Sequence, residues 1–262
     1  MAVLMNGSLL TAEGIGVPHG FTTRLGGVST GHLAGLNLGC HRGDDPQNVA
    51  ENYRILTSSL GIDPDKLVLT WQIHSDIVRQ VTANDAAGID HRAYPQCDAL
   101  ITNDPGTALL VFTADCTPIL FHDPVTGAVG AAHAGWRGTA QDIGGKTVAA
   151  MVKAYGCKPE NIRAAIGPNI GPCCFETDRD VPEAMIALLG DQALPHIRQQ
   201  DHKYYVNLKE INAQLLRNRG LDKIDIAPHC TACQPELFWS HRKTGDRRGS
   251  QGAIILCKEV TA

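Results

Sequence analysis

Three short segments of this chain end apolar runs with side chains that bind metals or attack electrophiles. Thr113-Ala114-Asp115-Cys116-Thr117-Pro118 follows Leu109–Phe112, and Ala132-His133-Ala134-Gly135-Trp136-Arg137-Gly138 follows Ala128–Ala132. Gln72-Ile73-His74-Ser75 closes the run Leu67–Trp71. Reactive groups at strand ends, on turns rich in Gly and Pro, are where proteins that mix helices and sheets place chemistry. Two imidazoles and a thiolate, from His74, His133 and Cys116, match the three-ligand set of catalytic zinc, which keeps a further position for water or substrate. Such an ion lowers the pKa of bound water to about 7. The same residues also allow a Cys–His nucleophile, in which His133 activates Cys116 and Asp115 or an amide orients the base. A metal-bound thiolate is a poor free nucleophile, so the two chemistries compete for Cys116 and metal occupancy decides between them. Asp115 is either a partner for His74 or His133 or a turn-former.

The elements that must hold these residues are legible in outline. Asp45 reads as the N-cap and Pro46 as the first residue of a helix carrying Val49, Tyr53, Leu56 and Leu60 and stopping at Gly61. Further helices are expected over 139–155, 181–189 and from Asn207, which opens an Asn-x-x-Glu variant of the capping box, to Gly220. Strands are expected at 66–70, 77–81, 99–102, 108–112, 128–132, 163–166, 224–227 and 253–256. Strands succeed one another in the middle and helices come later, so the fold class is α+β, a layered sandwich of mixed sheets with peripheral helices. Neither GxGxxG nor GxxxxGK[ST] occurs, which excludes dinucleotide and P-loop readings.

With 262 residues, no low-complexity linker and no fixed-period repeat, one domain over 1–262 is expected. A net charge of −4 and only 5% aromatic residues leave no basic footprint for nucleic acid or anionic membrane and few stacking surfaces. No stretch approaches the roughly 18–20 apolar residues that span a bilayer. Met1–Leu10 lacks a basic start and a small-residue cleavage site, so no signal peptide is expected. Nine scattered cysteines, an odd number, suit a reducing, cytoplasmic location.

A longer series of motifs, in order, resembles the YfiH family. Phe21-Thr-Thr-Arg-Leu-Gly-Gly-Val-Ser29, Leu36-Asn-Leu-Gly39, Gly43-Asp-Asp-Pro46, Asn52 and Arg54 match its amino-terminal signature. Gln72-Ile-His74, Cys97-Asp-Ala-Leu100, Ala114-Asp-Cys116, Pro118 and His133-Ala-Gly-Trp-Arg-Gly138 match its metal-site motifs. Gly167-Pro-Asn-Ile-Gly-Pro-Cys-Cys-Phe-Glu176 and Ser240-His-Arg242 match the carboxy-terminal ones. Members are described as multicopper polyphenol oxidases or laccases, as purine nucleoside phosphorylases, or as peptidoglycan editing factors. The family fold is related to the cysteine-hydrolase domain of a bacterial toxin, which implies an α/β/β/α-type sandwich.

The resemblance implies that His74, Cys116 and His133 hold zinc; Asp115, beside Cys116, joins these three as a candidate catalytic residue on its position alone. It implies phosphorolysis of adenosine, inosine, guanosine and methylthioadenosine, and deamination of adenosine, with nucleoside and phosphate as partners. Zinc deaminases use hydroxide at C6 of adenine, but their HxE and PCxxC motifs are absent here. Phosphorolysis needs arginines to hold the anion, and Arg24, Arg54, Arg137 and Arg242 lie within matched motifs. Copper is disfavoured: two His and a Cys suit a type-one site, yet multicopper oxidation also needs HxH pairs, and no HxH occurs among the eleven histidines. Two other readings compete. One is a Cys116 hydrolase or amidase acting on peptidoglycan precursors; the other is a non-enzymatic interaction module whose structural metal takes Cys230 or Cys233 as fourth ligand.

Several features stand apart. Ser75 departs from the Gly that many members carry. Thr244–Gln251 only loosely resembles the family's Gly- and Arg-containing loop, leaving anion binding there open. Cys230-Thr-Ala-Cys233 is a redox or metal candidate, although no second CxxC exists. Cys173 and Cys174 read as core thiols, Trp136 as a wall residue, and His19, His32, His91, His196 and His202 as solvated.

Overall fold

The structure, a computed structural model, describes residues 2–5, 8–91 and 94–259. The run 1–10 read for a leader, and the end of the 1–262 span, therefore lie partly outside the described residues. In chain order the strands are β1 (Ala2–Met5), β2 (Leu9–Ala12), β3 (His19–Thr22), β4 (Leu67–Leu69), β5 (Val78–Gln80), β6 (Ala99–Thr102), β7 (Ala108–Thr113) and β8 (Thr117–His122). They continue with β9 (Val129–Ala134), β10 (Arg163–Ile166), β11 (Glu176–Thr177), β12 (Ile197–Gln200), β13 (Lys203–Val206), β14 (Lys223–Ile226) and β15 (Gln251–Leu256). The helices are α1 (Pro46–Leu60), α2 (Trp136–Ala140), α3 (Ile143–Tyr155), α4 (Asp180–Leu189), α5 (Leu208–Asn218) and α6 (His241–Thr244). No helix among the described residues is long and apolar enough to cross a membrane.

Local chemistry sets these ends. Asp45 accepts from Gln47 N at 2.8 Å and Gly61 closes α1 at φ 65°, a left-handed turn that glycine adopts without a side-chain clash. Asn207 caps α5 through Glu210 N. The single helix expected over 139–155 is two. Asp142 sits at φ 57°, accepts from Gly145 N at 3.0 Å and pairs with Arg219, so it ends one helix and starts the next. His19, expected in solvent, is buried, and its ring bonds Ala12 N and Val17 O, each at 2.8 Å.

The strands form two six-stranded mixed sheets, ordered β1-β2-β3-β15-β7-β4 and β14-β10-β8-β9-β6-β5, plus a small β11-β13-β12 sheet. Alternation along each strand divides its side chains between two faces. Leu109, Val111, Ala253 and Ile255 of the first sheet meet Leu100, Leu120, Val129 and Ala131 of the second. On the outer face of the first sheet, Leu110 and Ile254 pack beneath Val49, Tyr53 and Leu56 of α1. On the outer face of the second, Ile119, Phe121 and Ala132 pack beneath Val148 and Met151 of α3 and Leu216 of α5. Helix, sheet, sheet and helix thus stack in four layers, the α/β/β/α arrangement expected.

The chain passes between the two large sheets at the connections that matter most. From β4 in the first sheet it crosses to β5 in the second, and His74 lies on that crossing. From β7 it crosses to β8 through residues 114–116, and Cys116 lies there. β8 itself was not expected; the motif at its start reads as a turn. Its antiparallel register with β9 sets Pro118 opposite His133 and Thr117 opposite Ala134.

Candidate metal centre

His74, Cys116 and His133 converge, each offering one ligand atom, with all three atoms within 4.8 Å of one another. The His74 and His133 rings meet edge to face at 4.9 Å, and Cys116 Sγ lies 3.8 Å from His74 Nε2. His133 is buried at the end of β9, whereas His74 is exposed and held in the left-handed region at φ 62°. A non-glycine residue there carries backbone strain that persists only when the surroundings hold it.

Asp98 is what holds it. This carboxylate, fully buried just before β6, accepts from the main-chain N of Ile73 (3.1 Å), His74 (3.0 Å) and Ser75 (2.7 Å), and from Ser75 Oγ (2.7 Å). Its Oδ1 also lies 2.8 Å from His133 Nδ1. Asp98 therefore shapes the turn that presents one histidine and orients the ring of the other, leaving His133 Nε2 for a ligand. Burial works against its charge, but the bonds from His133 and Ser75 prevail and hold its carboxyl at about 2.

Cys116 and His133 shift in opposite senses for a shared reason. Burial pushes the Cys116 thiol up, yet His133 and His74 outweigh it and bring it down to about 6. Burial pulls His133 down, yet Cys116 and Asp98 raise it to about 9. Without an ion the group is a thiolate beside an imidazolium. A divalent cation would take the place of that proton, and an N₂S donor set with its orienting carboxylate already bonded fits zinc. Gly135 leaves room for it: a Cβ there would stand 2.8 Å from His74 Cδ2 and 3.1 Å from Cys116 Sγ.

The group opens onto a cavity of about 410 Å³ that Trp71, Phe112, Arg42 and Arg248 also line. A second cavity of about 300 Å³ shares His74, Cys116 and Arg248 and is walled by Asp115, Phe175 and Arg242. Arg248 stands at both. Its buried Nε has no hydrogen-bond partner among the described residues, and Nη1 donates to Gly249 O at 3.1 Å. Burial, with Arg42 adding to it, brings its guanidinium down to about 10.

Residues 18–258 match the family model described as multi-copper polyphenol oxidoreductase laccase. The chain belongs to this family. It is 39% identical over 248 residues to a Deinococcus radiodurans protein named purine nucleoside phosphorylase, covering 94% of this chain and 92% of that protein. To the Escherichia coli protein named purine nucleoside phosphorylase YfiH it is 37% identical over 222 residues, covering 85% and 86%. The crystal structure of YlmD from Geobacillus stearothermophilus superposes with a TM-score of 0.93 at 35% identity, covering 98% of this chain and 99% of that one. Each group of His, Cys, Asp or Glu close enough to share one ion holds at most two histidines among the described residues.

Against this family background the other candidate residues separate. Arg242 borders the second cavity, its guanidinium on Cys174 O (2.8 Å) and Glu176 O (2.9 Å). Arg24, Arg54 and Arg137 line neither cavity. Arg24 bonds Pro235 O at 2.8 Å and stacks on Trp239. Arg54 is exposed on α1 and pairs with Glu51 one turn earlier. Arg137 lies over its neighbour Trp136, 4.2 Å from the ring, on a helix of five residues.

Asp115 orients neither histidine. Its carboxylate accepts from Thr231 Oγ1 and Arg242 N, each at 2.6 Å, and at φ 91° it turns the chain between the sheets. Asp98 has the role considered for Asp115; its signal was the Cys97-Asp98-Ala99-Leu100 motif. Arg248 and Arg42 were also missed. The Arg247-Arg248 pair in the loosely matching loop was the one signal for the former, and nothing marked the latter. Cys230 and Cys233 do not complete the three-ligand group, so the interaction-module reading lacks its fourth ligand.

Proposed function

We propose that this protein is a zinc-dependent purine nucleoside phosphorylase that takes adenosine, inosine, guanosine and methylthioadenosine and also deaminates adenosine. The observation that carries the reading is the cavity that joins the His74–Cys116–His133 group to Arg42 and Arg248, supported by the names of its relatives. His74, Cys116 and His133 would hold the ion, with Asp98 positioning two of them. When bound, zinc supplies a Lewis acid at the cavity floor.

Phosphorolysis joins a phosphate oxygen to the anomeric carbon and breaks the bond from that carbon to the purine nitrogen, whose electrons leave with the base. The chain must therefore place an anion beside the ribose. Arg248, its buried Nε unpartnered, has donors free for that anion, and Arg42 adds a second positive charge. Trp71 and Phe112 offer aromatic faces to a purine. Deamination replaces the 6-amino group with oxygen from water and releases ammonia, so it needs no phosphate. Incubating the zinc-loaded protein with inosine tests the reading. Hypoxanthine and ribose 1-phosphate should form only when phosphate is present; no phosphate dependence with any of these nucleosides overturns it.

A second reading rests on the Asp98–His133–Cys116 series, which has the order of an acid, a base and a thiol nucleophile. It makes the metal-free protein a thiol hydrolase or amidase. Iodoacetamide separates the two readings: an ion on Cys116 slows its labelling until a chelator removes it, whereas rapid labelling of metal-loaded protein favours the hydrolase.

A further inference from the structure

Four cysteines outside the site described above come together from two distant turns. Cys173 and Cys174 lie between β10 and β11, and Cys230 and Cys233 follow β14. Cys173 Sγ is 3.4 Å and Cys174 Sγ 3.3 Å from Cys233 Sγ, and all four sulfurs lie within 4.8 Å of one another. All four are free thiols. The expectation of core thiols fails for Cys173, which is exposed like Cys233.

The surroundings are built to bring the two turns together. Asn169 bridges to Cys230 in parallel register, and Thr231 N donates to Asn169 O at 3.0 Å. Gly171 N donates to Cys230 Sγ at 3.2 Å, a bond that favours a thiolate. Gly171 also lets the two turns approach closely: a Cβ there would stand 3.2 Å from Cys230 Cβ and 3.3 Å from Cys173 Sγ, so the cysteines would have to give way slightly. Buried Lys209 holds its ammonium on the carbonyls of Ala227 (2.7 Å) and His229 (2.5 Å), within electrostatic reach of Cys230 and Cys173.

We propose that Cys173, Cys174, Cys230 and Cys233 form a second, all-thiolate site for a divalent cation of the zinc class. Zinc bonds thiolate sulfur at about 2.3 Å in a tetrahedron, which sets the sulfurs about 3.8 Å apart. The observed separations need only a small adjustment to reach that. Four thiolates around a dication leave a net charge of −2, which the Lys209 ammonium partly offsets. The Cys-x-x-Cys pair supplies half of a familiar structural zinc site, and the Cys173–Cys174 pair supplies the other half from across the fold. With every position taken by protein, the ion would be structural. It would pin the 171–176 turn, which carries Phe175 and the carbonyls that hold Arg242, to the turn whose Thr231 holds Asp115. It would thus brace one wall of the second cavity without touching substrate.

The test uses full-length protein purified under reducing conditions with zinc. Elemental analysis should give two zinc ions per chain, and Cys116→Ser should keep one. Cobalt loaded into Cys116→Ser should show the strong thiolate-to-cobalt charge transfer and red-shifted tetrahedral bands of a four-sulfur site. The Cys173→Ser/Cys233→Ser double variant should lose one equivalent and keep the other. Should that variant fail to fold, the metal content and cobalt spectrum of Cys116→Ser still decide. No metal in Cys116→Ser, or two zinc ions retained in the double variant, overturns the proposal. So does a disulfide among these four residues in metal-free wild-type protein purified anaerobically, which would make them a redox pair instead.

Discussion

Asp98 Oδ1 lies 2.8 Å from His133 Nδ1 while the same carboxylate accepts the main-chain N–H of His74. One buried acid therefore controls two candidate ligands that arrive from different connections. Asp98→Asn keeps the shape but removes the charge that fixes the His133 ring. Zinc affinity should fall about 10- to 100-fold, read by competition with a chromophoric chelator, with the fold retained by circular dichroism. Asp98→Ala goes further, leaving three main-chain N–H groups and His133 without their acceptor. It should cost roughly 3–5 kcal/mol of stability, measured by denaturant unfolding of metal-free protein.

The metal-free site should show an unusual pH profile. Cys116 lies at about 6 and His133 at about 9, so the thiolate–imidazolium pair exists between those values. The lowered thiol stabilises the fold above its ordinary value of 9.0, and that contribution is lost as pH falls through about 6. The raised imidazole stabilises below its ordinary 6.5, and its contribution is lost as pH rises through about 9. Alkylation of Cys116 in chelator-treated protein should therefore rise with a midpoint near about 6. A midpoint in the ordinary thiol range would show that the pair does not form.

Gly135→Ala probes the space the ion would need. Gly135 has φ −63°, which alanine adopts freely, so the backbone accepts the change. The added methyl stands 2.8 Å from His74 Cδ2 and 3.1 Å from Cys116 Sγ, so the ligands must move. The variant should fold with near-normal helix content yet bind the site's ion weakly. Elemental analysis after extensive dialysis checks this, and full retention of that ion would remove Gly135 from the argument.

Arg248 and Arg54 should behave differently under the phosphorylase reading. Arg248→Lys keeps a charge but loses the forked donors. One charge-assisted hydrogen bond of about 1.5–3 kcal/mol corresponds to a rise of roughly 10- to 100-fold in KM for phosphate. Adenosine deamination should change less. Arg54→Ala, which removes only a surface pair with Glu51, should leave both reactions unchanged. Steady-state assays with phosphate varied at saturating nucleoside distinguish them.

Much of the frame follows from local rules that act over a few residues. Asp45, Pro46 and Gly61 mark both ends of α1, and the alternating runs mark the central strands. The three-residue group was visible as reactive types at strand ends. Asp142 was not, because a left-handed aspartate inside an apolar-periodic segment leaves the pattern intact while breaking the helix. Asp98 and Arg248 depend on which connections meet in space, and no local period encodes that. The same holds for the four cysteines: Cys230-x-x-Cys233 was recognisable, but its partners at 173 and 174 come from across the fold. Arg24, Arg54 and Arg137 illustrate the converse, motif residues whose side chains serve packing or the surface.

Two of the crossings between the large sheets have a mechanical meaning. His74 rides on one, Cys116 on the other, and His133 ends a strand of the second sheet. An ion bound to all three would act as a rivet through adjoining plies, resisting any slip of one sheet over the other. Anything that binds the folded state alone stabilises it by about 4 kcal/mol at a thousand times its dissociation constant. Loading this centre and tightening the laminate are then a single equilibrium.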